Sequence, residues 1–439
     1  MARDNCRLLG SRVPLHRQLC HGASMTSPAA SSHDAMPMRE FVAMMAAIMA
    51  LNALAIDTML PALPDMAREL GATSANAQQY VISLYFLGLG VGSLVHGPLA
   101  DRYGRKRVIM VCLVGYIIAG LASGVATSWP LLLGARFIHG LFGAAMGVVS
   151  QAIIRDRTSG DAMAKLMSMI FLIFMVVPII APTIGQGVLL VAHWRWIFLM
   201  LAGGGALMAL WVGTRLQETL DPADVAPISP RGLARTWTMV ATHRSAMAYM
   251  LGSSIAAGAN FGFLNSSQQI FSETFGRADI FPLAFASVAG TMAIANFSNS
   301  RIVLRFGARR VSQAALIGFI LISILQWIAA GVGEPMLLFI ILIALNMSMI
   351  GFIGANFSSI AMEPFGHVAG SASSFQNSVR TLVAAGVGAL IGQMYDGSTQ
   401  PLAMGFACCG LIALAVVAWG ERGKLFTRPN PPRIPTPRV

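Results

Sequence analysis

Long apolar runs alternate with short polar segments along most of the chain. A helix needs about 20 apolar residues to cross a hydrocarbon core about 30 Å thick, and twelve runs of this kind occur. They begin near Phe41, Gln78, Arg107, Pro130, Ala164, Trp194, Arg244, Phe281, Val311, Pro335, Val368 and Pro401. Internal Gly, Pro and Ser are compatible with membrane helices, because neighbouring helices satisfy the freed backbone groups. The pattern predicts an all-α polytopic membrane protein with twelve transmembrane helices.

One longer polar segment divides these runs into six and six. We expect an N-terminal tail without fixed structure over residues 1–37, six-helix bundles over 38–216 and 244–420, a central loop over 217–243, and a basic tail over 421–439. The first segment lacks the apolar stretch of a signal peptide. Translation from Met25 or Met36 is an open alternative for this region.

Composition and charge agree with a membrane setting. Of the 439 residues, 56% are hydrophobic and 11% are charged, whereas soluble domains carry about 25% charged residues. The net charge of +12 comes from short clusters between apolar runs rather than from a basic patch for nucleic acid. With the N-terminus inside, 25 of the 30 Lys and Arg residues fall on the inner side and three on the outer side. This bias predicts that both termini are cytoplasmic.

The residue pattern contains no recognisable catalytic or metal-binding motif. The five cysteines show neither a CxxC pair nor a His/Cys ligand spacing. The chain has no visible nucleophile–base pair, and its longest polar loop is too short for a catalytic domain. We therefore expect no metal, no cofactor and no enzyme. A membrane-embedded enzyme or sensor is kept as a remote alternative.

The two halves repeat one another. The segment from Arg102 to Val108 aligns with the segment from Arg305 to Val311 at an offset of 203 residues. The same offset places the start of the first apolar run on the start of the seventh. Parallel six-helix repeats are the architecture of one large class of secondary transporters, and the sequence predicts two such pseudo-repeats.

A basic turn follows the second run and carries the first resemblance to a known family. Gly97, Asp101, Arg102, Gly104 and Arg105 stand at fixed spacings there. A plain cytoplasmic basic loop explains the cations but not the two glycines and the acid. The segment resembles the signature loop of the major facilitator superfamily, which implies a charge latch between the halves. The second copy has Leu304 in place of the acid, so we expect the latch to depend on the first half.

Asp57 is the one acid that lies well inside an apolar run. A charged group near the bilayer centre costs about 2.5–3.5 kcal/mol on insertion scales, so this carboxyl is expected to bind and release a proton. A paired, inert acid near the outer end of the helix is the alternative. The surrounding segment, from Asp57 to Pro64, resembles the first helix of drug:proton antiporters, notably the bicyclomycin-resistance and chloramphenicol/florfenicol exporter subfamily. The resemblance implies that Asp57 handles the proton or a cationic substrate.

Arg136 lies inside the fourth run, three residues before His139. Its guanidinium keeps its charge and must face the interior, where it can tune a neighbouring acid. The family resemblance links this arginine to proton transfer. His139 can titrate and is a candidate for the substrate cavity, although a packing role is the preferred interpretation.

The fifth run contains Pro178, Pro182 and Gly185. Two prolines four residues apart predict a bent helix whose small residues pack closely on a neighbour. The segment resembles the antiporter motif of exporters, although Ala181 and Gln186 stand where glycines are usual. The resemblance favours export over import.

Several polar residues in the second half are further candidates for a substrate cavity. Arg380 either contacts substrate oxygens or pairs with a carbonyl, and the amides either face the cavity or connect helices. The amide candidates are Asn260, Asn265, Gln268, Asn346 and Asn356.

The resemblance thus implies a monomeric exporter of small amphipathic compounds or antibiotics in a bacterial inner membrane, energised by proton exchange through alternating access. Its expected partners are a small-molecule substrate, protons and the lipid bilayer, with no nucleic acid. A carrier of a small metabolite such as an amino acid is the alternative.

Overall fold

The computed structural model describes residues 36–427, apart from 159, 223–224 and 226–228. In this part of the chain the regular structure is helical. Its α-helices are α1 (Met38–Asp57), α2 (Leu63–Glu69), α3 (Tyr80–Tyr103), α4 (Arg105–Gly124), α5 (Trp129–Arg157), α6 (Gly160–Val191), α7 (Arg195–Arg215), α8 (Pro230–Thr242), α9 (Arg244–Gln269), α10 (Phe281–Phe306), α11 (Ala308–Gly331), α12 (Met336–Met362), α13 (Ala369–Gln393) and α14 (Gln400–Gly420). The predicted tail over residues 1–37 lies almost entirely outside the described residues, as do positions 428–439.

The twelve long helices of the described chain confirm the predicted spans, each of which begins within four residues of its expected start. Ten spans are long and apolar enough to cross a membrane by length and composition. The other two long helices, α9 and α13, are not among them because they are rich in Ser, Asn and Gln. Both helices pack in the interior of the second half, where polar side chains can find partners.

The basic turns at Gly104 and Gly307 show the repeat in the backbone. Gly104 has φ +97° and ψ 148°, and Gly307 has φ +85° and ψ 149°, so each ends one helix and begins the next in a conformation that favours glycine. An acid supports each turn at the same offset. Glu218 accepts hydrogen bonds from the backbone N–H groups of Arg105 and Lys106, and Glu421 pairs with Arg309.

Contacts between helix ends show which ends lie together. The start of α1 meets the end of α7 through Glu40 and Arg215, with Nε to Oε1 at 2.8 Å. The start of α9 meets the end of α14, because Arg244 donates to the carbonyl of Trp419. We call this end of the bundle the terminal end, and the other the opposite end.

The two halves, α1–α7 and α9–α14, pack through α3 against α13 and through α6 against α10. The approach of α3 and α13 is close at Gly90, where an added Cβ would overlap the side chain of Leu382. Ser378 Oγ donates to the carbonyl of Gly90 at 2.6 Å, and Asn377 Nδ2 donates to Ser93 Oγ at 3.1 Å. These bonds fix α13 beside the cavity described below.

The central segment contains a helix, α8, where the sequence predicted a loop. The Ser229 hydroxyl caps its first turn by accepting from the Gly232 N–H at 3.1 Å, and Pro230 occupies the first position. Leu233, Trp237 and Val240 lie on its packed face, and the Trp237 ring stacks on Phe375 of α13. Pro230 is compatible with this helix because it occupies the first helical position.

Candidate functional site

A cavity of about 470 Å³ lies among α9, α10, α12 and α13, with one residue contributed by α5. Small residues make room for it, since Ala256, Ala257, Gly351 and Gly354 form much of the wall. The lining residues come from the parts of these helices between the middle of the bundle and the terminal end. Its volume falls in the range of about 300–1,000 Å³ that is typical of small-molecule sites.

The cavity wall combines polar and apolar side chains. Its polar residues include Asn260, Asn296, Gln376, Asn377 and Arg380, and its larger apolar residues are Phe261, Met292 and Ile350. Arg380 is the one charged residue among those that the structure assigns to this wall. The cavity is therefore amphipathic, with a fixed positive charge.

The structure places two of the sequence candidates, Asn260 and Arg380, on this wall. The other asparagine candidates are bonded elsewhere. Asn265 donates to Ser83 Oγ at 3.2 Å, and Asn346 donates to Gln326 Oε1 at 2.9 Å. Gln268 is buried outside the cavity lining.

Asn356 likewise lies outside the lining, where it donates to Asn299 Oδ1 at 2.8 Å. These three asparagines connect helices of the bundle. They are therefore placed as interhelical hydrogen-bond partners rather than as cavity residues.

Sequence reasoning missed four amide residues of the wall, namely Gln151, Asn296, Gln376 and Asn377. A signal for two of them was present in α13. Ser373, Gln376, Asn377 and Arg380 stand at positions i, i+3, i+4 and i+7, which places them on one helix face. That polar face, in a helix surrounded by apolar ones, marks the cavity.

Asp57 ends α1 in the interior of the first half, with 5% of its surface exposed. Its carboxylate makes no hydrogen bond or ion pair to any other residue that the structure describes. The chain continues beyond Asp57 into α2, so the carboxyl is followed by a further helical segment and is not at an exposed helix end. An ionised carboxylate without a partner is costly in such a place, and protonation removes that cost.

Arg136 is fully buried in α5 and bonds to main-chain carbonyls rather than to Asp57. Its Nε donates to the carbonyl of Val81 at 3.2 Å, and one terminal nitrogen donates to the carbonyl of Ala55 at 3.1 Å. The guanidinium also lies 4.2 Å from the ring centre of Tyr85. It thus connects α5 to α3 and to the residue two positions before Asp57.

His139 lies in the core of the first half and not on the cavity wall. Its Nδ1 is 2.9 Å from a terminal nitrogen of Arg136, and its ring lies 4.2 Å from that of Tyr116. Because Arg136 is a donor, Nδ1 accepts, and the neutral ring carries its proton on Nε2. This surrounding corresponds to a packing and hydrogen-bonding histidine.

The signature loop forms a charge cluster within the first half. Arg105 pairs with Asp101, and its Nε lies 3.0 Å from Asp156 Oδ2. Gly97 meets the second half, since a Cβ there would approach the Ser374 hydroxyl, whereas Arg102 is exposed. The loop is therefore close to the interface of the halves at the terminal end.

The motif in α6 brings that helix against α1. A Cβ on Gly185 would overlap the carbonyl oxygen of Thr58, the residue after Asp57. Pro182 is buried on the same side of the helix and Pro178 is half-buried. Because α6 also packs on α10, it lies between Asp57 and one wall of the cavity.

Metal binding has no candidate among the described residues, where no group of three His, Cys, Asp or Glu side chains could hold an ion.

Known proteins are similar to this chain over most of its length. The family model of the Major Facilitator Superfamily matches residues 45–389. The MFS-type transporter YdgK of Bacillus subtilis is 30% identical over 348 residues, or 78% of this chain and 86% of that protein. The bicyclomycin resistance protein homolog of Haemophilus influenzae is 30% identical over 363 residues, or 82% of this chain and 90% of that protein.

One solved structure with the same fold is a bacterial homologue of the human lysosomal transporter Spinster, in an inward-facing and occupied conformation. It has a TM-score of 0.65 and 16% identity, and covers 89% of this chain and 98% of that one. At this identity the likeness concerns the fold alone.

Proposed function

The chain belongs to the major facilitator superfamily, and from this premise we propose that it exports small amphipathic compounds or antibiotics in exchange for protons. The carrier lies in the bacterial inner membrane with both termini in the cytoplasm, and it acts as a monomer. The distribution of Lys and Arg supports this orientation. The relative that is named for bicyclomycin resistance supports drug export.

The observation that carries the proposal is the buried, unpartnered carboxyl of Asp57 in a chain that also holds an amphipathic cavity. Intramembrane acids are expensive and are found chiefly on ion and proton pathways. The enclosed carboxyl favours the protonated form, and access to water favours proton release. Proton binding from one side and release to the other can then drive a cycle of alternating access.

The position of α6 suggests how protonation is coupled to the cavity. This helix touches α1 at Thr58, directly after Asp57, and touches α10 on its other side. Because α10 supplies Met292 and Asn296 to the cavity wall, a change of packing at Asp57 can move that wall. The unbroken chain of contacts from α1 through α6 to α10 supports a coupling between Asp57 and the cavity.

The test measures proton movement in inverted vesicles that contain the purified, reconstituted protein. Vesicles are acidified inside, and a panel of phenicols, bicyclomycin, sulfonamides, lipophilic cations and amino acids is added. We expect at least one compound to release protons from the wild type, and Asp57→Asn to abolish that release while the protein remains folded. Asp279→Asn is the matched control, because Asp279 is an exposed acid between α9 and α10.

Proton-coupled export that persists in Asp57→Asn would reject the assignment of the coupling site. A response to amino acids alone would instead favour the metabolite carrier that the sequence left open.

A further inference from the structure

Arg380 is a half-buried cation on the cavity wall, without a partner among the described residues. It lies in the middle of α13 on the cavity wall. Its guanidinium makes no hydrogen bond or ion pair to any other residue that the structure describes. A guanidinium carries five N–H donors and keeps its charge at any physiological pH. This donor capacity is therefore available to a molecule that occupies the cavity.

Two amides share the wall with Arg380 and are also unpaired. Neither Asn260 of α9 nor Asn296 of α10 forms a hydrogen bond with another described residue. No acid stands among the residues assigned to this wall. The three side chains therefore offer one fixed positive charge with additional amide donors and acceptors, which is the complement of an anionic, acceptor-rich group.

Apolar side chains form another part of the wall, which is partly rigid. The Phe261 ring stacks on Phe86 of the other half, with ring centroids 3.6 Å apart and an angle of 18° between the planes. Met292 and Ile350 continue this surface. A ligand that satisfies both parts of the cavity has an apolar body and one charged end.

We propose that the cavity binds amphipathic organic anions, with a carboxylate or a similarly charged acceptor placed against Arg380. The inference rests on the proposed export function and names its substrate class. It distinguishes this cavity from one built for lipophilic cations, which would need an acid where Arg380 stands.

The test uses three fluorescent probes that share one apolar ring system. Dansylglycine is an anion, its primary amide is neutral, and dansyl-ethylenediamine carries a positive charge. Binding to the purified full-length protein is followed by fluorescence at neutral pH. We expect the wild type to bind the carboxylate more tightly than the amide by about 10-fold or more, which is the scale of one charge-assisted hydrogen bond.

Arg380→Gln is expected to remove this preference, with a loss of affinity for dansylglycine of about 10- to 100-fold and little change for the amide. Arg380→Lys keeps the charge and should retain part of the preference. Arg301→Gln is the control, because Arg301 is an exposed arginine of α10 outside the cavity lining. Size-exclusion chromatography of every variant checks that the protein remains folded.

Equal affinity for the three probes, or tighter binding of the cation, would overturn the proposal, as would an Arg380→Gln variant that binds the anion normally. Dihexanoyl phosphatidylglycerol serves as a competitor. If this lipid binds more tightly than dansylglycine, the cavity selects a lipid headgroup and the small-molecule assignment fails.

If the substrate class is right but proton-coupled export is wrong, the binding and transport results separate. The wild type then prefers the carboxylate and Arg380→Gln loses that preference, but an imposed proton gradient moves none of the probes in vesicles. Proton-driven transport without any carboxylate preference would instead keep the function and reject the substrate class.

Discussion

Gln79 Nε2 donates a hydrogen bond to Gln269 Oε1 at 2.8 Å, and this buried bond joins the two halves at the opposite end. Gln269 also donates to Asn76 Oδ1, and Asn76 donates to the carbonyl of Tyr395 at 2.8 Å. Gln393 Nε2 donates back to the carbonyl of Asn76. We call Asn76, Gln79, Gln269 and Gln393 the amide cluster. The cavity can open toward this end only if the cluster separates.

The amide cluster predicts that Gln79→Leu favours opening at the opposite end. The substitution removes the Gln79 donor from the buried Oε1 of Gln269, at a cost of about 1–3 kcal/mol. A change of that size shifts a two-state equilibrium by about 5- to 150-fold. Spin labels at Thr73 and Ala278, in a background without the natural cysteines, are expected to show a larger population of long distances by double electron–electron resonance.

Gln78→Leu is the matched control for this prediction. Gln78 is also a buried glutamine, but it makes no hydrogen bond to the other half within the described chain. The two variants should therefore differ, and equal distance distributions would show that the amide cluster does not hold the halves together.

The sequence predicted the fold well because each membrane span carries its own signal. A run of about 20 apolar residues is visible without knowledge of its neighbours, and the repeated turn at Gly104 and Gly307 marks the two halves. The helix α8 was missed because a 13-residue amphipathic helix after several prolines lacks both signals. Its cap, Ser229 followed by Pro230, was the readable feature.

The candidate site was less predictable, because a polar residue in a membrane helix gives no indication of its partner. Asn260 and Asn346 look alike in sequence, yet Asn260 faces the cavity and Asn346 bonds to Gln326. Similarly, Arg136 was expected to act on a nearby acid, and the structure shows it bonded to the carbonyls of Val81 and Ala55. Which partner a polar side chain finds depends on the direction in which it leaves its helix and on the helices packed there.

The contact between α6 and α1 predicts that Gly185→Ala is strongly harmful. The new Cβ would overlap the backbone carbonyl of Thr58, which cannot move aside as a flexible side chain can. Overpacking of this kind costs about 1–3 kcal/mol or more, and it displaces α1 beside Asp57. We expect a lower melting temperature in detergent and weaker proton-coupled transport.

Gly187→Ala is the control for that substitution, because nothing lies within 4 Å of a Cβ at Gly187 in the described structure. It should leave stability and transport near the wild-type values. If Gly185→Ala behaves in the same way, close packing of α6 on α1 is not required.

Glu334 predicts a pH dependence of stability at the opposite end, in the loop between α11 and α12. Its Oε1 accepts from the Thr399 hydroxyl at 2.6 Å, whereas its Oε2 is buried without a partner in the described chain. Burial raises the pKa of this carboxyl above its ordinary value of 4.5, although the Thr399 bond opposes the shift. The folded protein thus holds the proton more tightly than the unfolded chain does.

The sign of the effect follows from that difference. The contribution of Glu334 to stability is most favourable below pH 4.5 and decreases as the pH rises through the raised pKa. Glu334→Gln removes the charge but keeps an acceptor for Thr399, so we expect it to raise the melting temperature at pH 8 more than at pH 5. A gain that is equal at both pH values would show that ionisation of Glu334 is not involved.

Arg136→Lys is expected to destabilise the first half although it keeps the charge. The arginine reaches two carbonyls and His139 with separate nitrogens of one planar group, whereas a lysine has one nitrogen and cannot reach all three. Two buried acceptors would then lose their donors, at a combined cost of about 2–4 kcal/mol.

Arg39→Lys, at an exposed position near the start of α1, is the control for Arg136→Lys and should melt like the wild type. Because Arg136 bonds to the carbonyl of Ala55, two residues before Asp57, a rearrangement of its contacts should also weaken proton-coupled transport at temperatures where the variant remains folded. Unchanged melting and transport would mean that the charge of Arg136, rather than its bonds to α1 and α3, is what the fold requires.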